Sequence, residues 1–346
     1  MNKKKKKQHY VPRFYLEQWS IPNKYQVYVY NKKEKRSYVA SIYDVASEHF
    51  FYDIDFTKIF SENNLKGSGS PVRDSKSVAD EQFIENYFAD KIEADFKDEL
   101  RKVTSRVARM NAWEIENCHF LPQEGKNNLS FHLALQLIRV KYVRSSLTEM
   151  DDCLKKALED MGASKDTINK FLIPKSQLSY VHGQMIMDDD MITCISNCFS
   201  SLTWILYVNK SEKLFFTSDN PIGRESHMQH PYLSMNGLLS PGIEVYFPLS
   251  PNLMLLMFDG NFHTNLRAYD RRIIELKGIE FVDFYNTKCI LESENCVFSK
   301  ENDFSIISEM LESDPNILEQ PKILMRWNGN TYTPKKRESK ETNSHV

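Results

Sequence analysis

The sequence predicts an α+β fold: a helical middle packed on an antiparallel β-sheet, with an N-terminal hairpin. Three observations predict it. Alternating aromatic and polar residues mark both ends of the chain, apolar residues at helical spacing mark the middle, and polar turn signals separate the alternating runs. With 41% hydrophobic and 12% aromatic residues among 346, a sizeable core can form. The expected layout is a basic tail at 1–7, one α+β domain over 8–334 with a helical insertion near 148–195, and a polar tail over 335–346.

The balance of charge excludes some roles. Forty-five basic against 47 acidic side chains leave a net −2. No global field would hold nucleic acid or a membrane, so such contacts need a local patch. No apolar run reaches the ~18 residues that span a bilayer. The lysine-rich start lacks a following apolar segment, so it is not read as a signal peptide. Cysteines 118, 153, 194, 198, 289 and 296 have no C-x-x-C spacing and read as reduced thiols. A cytoplasmic location without membrane contact is the expectation.

Taken in order, Lys3–Lys7 reads as a solvated tail, with a phosphate-steering arm as the functional alternative. Pro12 fixes its own φ and extends Val11, so His9 and Val11 point one way and Tyr10 the other. Phe14, Leu16 and Trp19 follow as an apolar anchor. Tyr25–Tyr30 alternates as a strand, Asn31–Lys35 turns, and Arg36–Ala40 returns. Ser47–Tyr52 is another extended candidate, and 61–75 is a Gly/Ser-rich loop.

From Val78 to Arg109 the period becomes helical, through Ile84, Phe88, Ile92, Phe96, Leu100, Val103 and Val107. Glu85 falls inside that apolar stripe and Glu93 on its margin. A carboxylate so placed needs a partner or a raised pKa. After a break at Pro122–Asn128, a second helix is expected from Leu129 to about Leu147. Its His132, Gln136 and Arg139 form one polar stripe on an otherwise apolar helix, lining a cavity or joining a hydrogen-bond network.

Residues 148–175 look helical and charged, an accessory or partner-binding segment. Asp188–Asp190 is expected to cap a helix rather than hold a metal. Leu202–Val208 and Leu214–Thr217 are expected to form a hairpin running into Ser218-Asp219-Asn220-Pro221. There Asp219 and Asn220 either serve a site or satisfy their own turn. Ile243–Leu249 and Leu253–Phe258 pair across Ser250-Pro251-Asn252, residues 271–297 read as a helix carrying Asn286, and Ile323–Trp327 opens a last hairpin at Asn328-Gly329.

Gln8-His9-Tyr10-Val11-Pro12-Arg13-Phe14-Tyr15-Leu16 resembles the start of the bacterial family defined by a His-Tyr-Val-Pro motif, domain of unknown function 4238. The likeness continues through Glu85 and Glu93, Gln136 and Arg139, Ser218–Pro221, Phe247–Pro251 and Asn286. Val140 stands where that family usually has proline after the arginine. The resemblance implies that these polar segments belong to one recurring set, and it brings no activity with it.

That set suits phosphoryl chemistry. His9, Glu85, Asp219 and Asn220 are the catalytic candidates; Arg13, Gln136, Arg139 and Asn286 are the substrate-binding candidates. The arginines would hold phosphate oxygens, carboxylates would hold a divalent magnesium or manganese ion, and His9 would move a proton. The expected function is a phosphodiesterase or nuclease acting on DNA or RNA, an effector of toxin or antiviral type. No Asp–Glu-x-Lys pair or His-Asn-His finger supports that class. The alternatives are a nucleotide or nucleic-acid binding module, and a scaffold with a buried polar network. The oligomeric state is left open, and a protein partner is admitted.

Overall fold

The computed structural model describes residues 4–55, 81–228, 235–319, 325–327 and 332–334. The expected loop at 61–75, the Asn328-Gly329 turn and the tail at 335–346 lie outside the described residues. The fold is α+β, as expected.

Strand β1 (Lys7–His9) pairs antiparallel with β4 (Ser47–His49), His9 opposite Ser47. Between them lie α1 (Arg13–Leu16), a 3-10 turn to Trp19, and the hairpin of β2 (Gln26–Asn31) and β3 (Arg36–Ser41). Asn31 folds that hairpin by accepting from the N–H groups of Lys33 and Glu34, each at 3.0 Å. The expected strand over Ser47–Tyr52 stops at His49, because Phe50 takes a left-handed φ of 56°.

The helical middle comprises α2 (Phe83–Tyr87), a π turn (Phe88–Ile92), α3 (Glu93–Arg109), α4 (Ala112–Asn117), α5 (Gln123–Arg139), α6 (Lys141–Asp160), α7 (Lys165–Phe171), α8 (Leu178–Ile186) and α9 (Asp189–Ser201). Asp188 caps α9 as expected, its carboxylate accepting from the Met191 N–H at 2.9 Å. The helix expected over Leu129–Leu147 instead starts six residues earlier and stops at Arg139. Pro122 stands at its N-cap, where a missing N–H is harmless. Val140 is extended, with φ −73° and ψ 155°. Side chains from elsewhere end the helix there: Tyr52 donates its hydroxyl to the Arg139 carbonyl at 2.9 Å, and His182 Nε2 donates to the Ile138 carbonyl at 2.8 Å.

The larger sheet has the order β10 (Arg272–Leu276), β5 (Thr203–Asn209), β9 (Leu253–Phe258), β8 (Ile243–Ser250), β7 (Gly223–Ser226). Only β10 and β5 are parallel. The smaller sheet runs β3, β2, β11 (Cys296–Ser299), β6 (Thr217–Ser218), so the N-terminal hairpin is completed by strands from the second half of the chain. Helices α10 (Glu280–Glu292) and α11 (Ser305–Ser313) and the pair β12 (Met325–Trp327) and β13 (Tyr332–Pro334) complete the described elements.

Two strand expectations are corrected. Residues 202–208 and 214–217 are not a hairpin: β5 pairs with β9 and β10, whereas β6 pairs with β11 in the other sheet. The Asn286 side chain occupies the position of a neighbouring strand, accepting from the Phe216 N–H at 2.7 Å and donating to the Leu214 carbonyl at 2.9 Å. The helix expected over 271–297 is three elements, because Arg272–Leu276 finds a parallel partner in β5 before α10 begins.

The main core joins these layers. It gathers Tyr10, Val11, Tyr15, Leu16 and Trp19 with the stripe of α2 and α3, the apolar faces of α5, and β5, β8 and β9.

Candidate active site

The N-terminal segment is wedged between the helical and β-rich halves. Tyr15 donates its hydroxyl to the Pro248 carbonyl at 2.7 Å, meets Thr217 at the same distance, and stacks on Phe247. Trp19 donates to the Phe215 carbonyl at 2.9 Å. Upstream, the lysine run is not a free tail over its described part. The Gln82 amide exchanges two 2.9 Å hydrogen bonds with the Lys5 backbone, Phe50 N–H donates to the Lys6 carbonyl, and Lys7 opens β1. Buried Gln8 accepts from the Tyr52 N–H and donates to Asp53. These contacts hold His9 from both sides.

Helix α5 carries the buttress. Gln136 Nε2 donates to the Tyr10 carbonyl at 3.1 Å. Arg139, only 2% exposed, donates to the His9 carbonyl at 2.6 Å and to Glu93 Oε1 at 3.1 Å. Its guanidinium lies 3.9 Å from the Phe88 ring centre. The polar stripe seen in the sequence therefore divides. Gln136 and Arg139 grip the backbone around His9, while His132 stacks on Phe96 and lines a separate groove with Asp95, Glu99, Arg101 and Arg109.

The π turn aligns the two glutamates. In a straight α-helix Glu85 and Glu93 would be roughly 80° apart; a π turn absorbs one extra residue and leaves roughly 20°. His9 and Glu85 then feel several of the same charges. Arg13, Glu93 and Arg139 act on His9, and the same three, with Lys5, act on Glu85.

The two groups titrate in opposite senses. Burial pushes the Glu85 carboxyl up to about 7, against the downward pull of Arg139, Lys5 and Arg13. Burial first, and then Arg13, pushes the His9 imidazole down to about 4. The Ile42 backbone pulls the His9 value the other way, while Nε2 is buried without a hydrogen-bond partner. Gln136 Oε1 is orphaned in the same way. Arg13 is exposed.

Asp219, Asn220 and Asn286 lie in other settings. The Asp219 carboxylate accepts from the N–H groups of Glu294, Asn295 and Cys296 at 2.8, 2.8 and 3.0 Å. Asn220 donates to the Glu292 carbonyl at 2.9 Å and shares a turn with Ser218. Asn286 holds the 214–216 backbone described above. These side chains secure backbone, and of the eight candidates His9, Arg13, Glu85 and Arg139 are linked electrostatically, with Gln136 and Arg139 bonding the backbone at Tyr10 and His9. Tyr52 joins the cluster from outside the eight candidates, and Lys5 joins it from the lysine run. Tyr52 carried no local signal, since it acts on Arg139 through a contact distant in sequence.

Among the described residues no group of three or more His, Cys, Asp or Glu side chains is arranged to hold a metal ion. Glu93 is committed to Arg139, so a magnesium or manganese ion at Glu85 would take most of its shell from substrate phosphates and water. No helix among the described residues is long and apolar enough to cross a membrane. The model of a family described as protein of unknown function (DUF4238) matches residues 7–303. No curated protein and no solved structure matches the chain.

Proposed function

The chain belongs to the DUF4238 family, and we propose that it is a phosphodiester hydrolase of nuclease type whose chemistry is carried by His9 and Glu85. The observation that carries this reading is a pair of groups driven apart in pKa within one field: His9 down to about 4 and Glu85 up to about 7. Between those values the imidazole is neutral and the carboxyl protonated, which is the pairing a general base and a general acid require. His9 Nε2 would take the proton of the attacking hydroxyl or water, and Glu85 would deliver one to the leaving oxygen. The exposed Arg13 would hold the phosphate oxygens. Arg139 fixes the His9 backbone from below and contributes positive charge without reaching solvent. Substrate entry must uncover Nε2, which is buried.

The test is incubation of the purified protein with DNA and RNA pools, with and without magnesium or manganese, beside His9→Ala. Cleavage is expected to follow a bell between limbs near pH 4 and pH 7 and to fall by about 100-fold or more in His9→Ala. Equal cleavage by His9→Ala, or none by the wild type, would sink the reading.

A second reading, a scaffold with a buried polar network, is favoured by the backbone-directed hydrogen bonds of Gln136, Arg139, Asp219, Asn220 and Asn286. Under it Arg139→Ala loses about 3–5 kcal/mol, because Glu93 and the His9 carbonyl are left unpaired. That loss is expected on either reading; only the His9→Ala cleavage result separates them.

A further inference from the structure

Exposed aromatic side chains lie beside the acid–base cluster. Tyr43, in the turn between β3 and β4, is 43% exposed, and Tyr25, just ahead of β2, is 61% exposed. Their rings meet edge-on with centres 5.9 Å apart. The Arg13 guanidinium lies 5.2 Å from the Tyr43 ring centre. Arg13 is thus shared, since its charge also acts on His9 and Glu85.

The backbone presents both rings. Asn23 turns the chain ahead of Tyr25 with a φ of 62°, a conformation asparagine tolerates. Ala46 closes the turn behind Tyr43 with a φ of 47°, a strained value for a residue with a Cβ. The Ala46 carbonyl accepts from the Tyr10 N–H at 3.1 Å, which couples the Tyr43 turn to the residue next to His9. The local charge suits a polyanion: exposed Lys24 adjoins Tyr25, and Lys7 neutralises Asp44 beside Tyr43.

Resting on the acid–base reading above, we infer that Tyr43 and Tyr25 form a base-stacking platform and that the substrate is a single-stranded nucleic acid. An unpaired base stacks on Tyr43 or on the Arg13 plane, and Arg13 presents the adjoining phosphate to His9 and Glu85. Every base has a π face, so the platform tolerates sequence, whereas a duplex keeps its bases buried in their own stack.

The experiment uses the full chain carrying His9→Ala, which is expected to bind without turnover, and reads polarisation of a labelled single-stranded RNA or DNA oligonucleotide. The single strand is expected to bind more tightly than its duplex. Tyr25→Leu with Tyr43→Leu is expected to lower single-strand affinity by about ten-fold or more at unchanged Tm, and Tyr43→Phe to retain it. Absence of single-strand binding, equal duplex affinity, or unchanged affinity in the leucine variant would overturn the platform. So would a leucine variant that only dissociates a self-associated chain, which would assign the rings to a protein interface. The two readings separate by cleavage assayed in the chain that keeps His9. Tyr-dependent binding without cleavage leaves the platform and removes the acid–base reading; His9-dependent cleavage with Tyr-independent binding does the reverse.

Discussion

At the scale of single residues, the burial of Glu85 has a consequence for stability. Its ordinary value is near 4.5 and its folded value about 7, so the folded protein binds a proton more tightly than the unfolded chain between those limits. The stabilisation this gives is complete below pH 4.5 and is lost as pH rises through 7. His9 has the opposite sign. With its folded value lowered from 6.5 to about 4, it contributes stability above pH 6.5 that is lost as pH falls toward 4. Glu85→Gln is therefore expected to raise Tm at pH 8, where the wild type must keep a half-buried carboxylate charged, and to leave it nearly unchanged at pH 4. Calorimetric scans across that range check this; parallel wild-type and mutant curves would mean that Glu85 is not the titrating group. Such a gain in stability at the cost of turnover is the mark of a functional rather than a structural carboxylate.

At the scale of elements, side chains stand in for missing strands and caps. Asn286 bonds both backbone groups of the 214–216 segment, and Gln82 does the same for Lys5. Asn286→Ala would leave the Phe216 N–H and Leu214 carbonyl without partners, each worth about 1–3 kcal/mol when buried. Urea denaturation is expected to show a loss of that order, with kcat at temperatures well below Tm within about two-fold of wild type. A large fall in kcat in a fully folded Asn286→Ala protein would instead return Asn286 to the substrate site. The end of α5 follows the same logic. Tyr52 and His182 satisfy its last carbonyls, so the helix stops at Arg139 without a proline at position 140.

At the scale of the whole molecule, the N-terminal segment joins the halves. Its anchors, Tyr15 and Trp19, donate to the carbonyls of Pro248 and Phe215, and its His9 and Tyr10 carbonyls accept from Arg139 and Gln136 of α5. Trp19→Ala removes a fully buried ring from that junction and is expected to lose about 3–5 kcal/mol, measured by denaturant unfolding. The α+β class, the β2–β3 and β8–β9 hairpins, the cap at Asp188 and the buried position of Glu85 were all legible in the sequence. Each depends on periods, turns and caps that act within a few residues. His9, Arg13 and the stripe on α5 were likewise visible as polar residues in apolar surroundings. Which of them meet was not. Asp219 and Asn286 carry the same residue types as a catalytic site, yet their partners are backbone groups tens of residues away. The sequence by itself determined local conformation and which polar groups would need partners. Tertiary structure alone decided who the partners are, because sheet pairing and the end of α5 follow from hydrogen bonds closed across the whole chain.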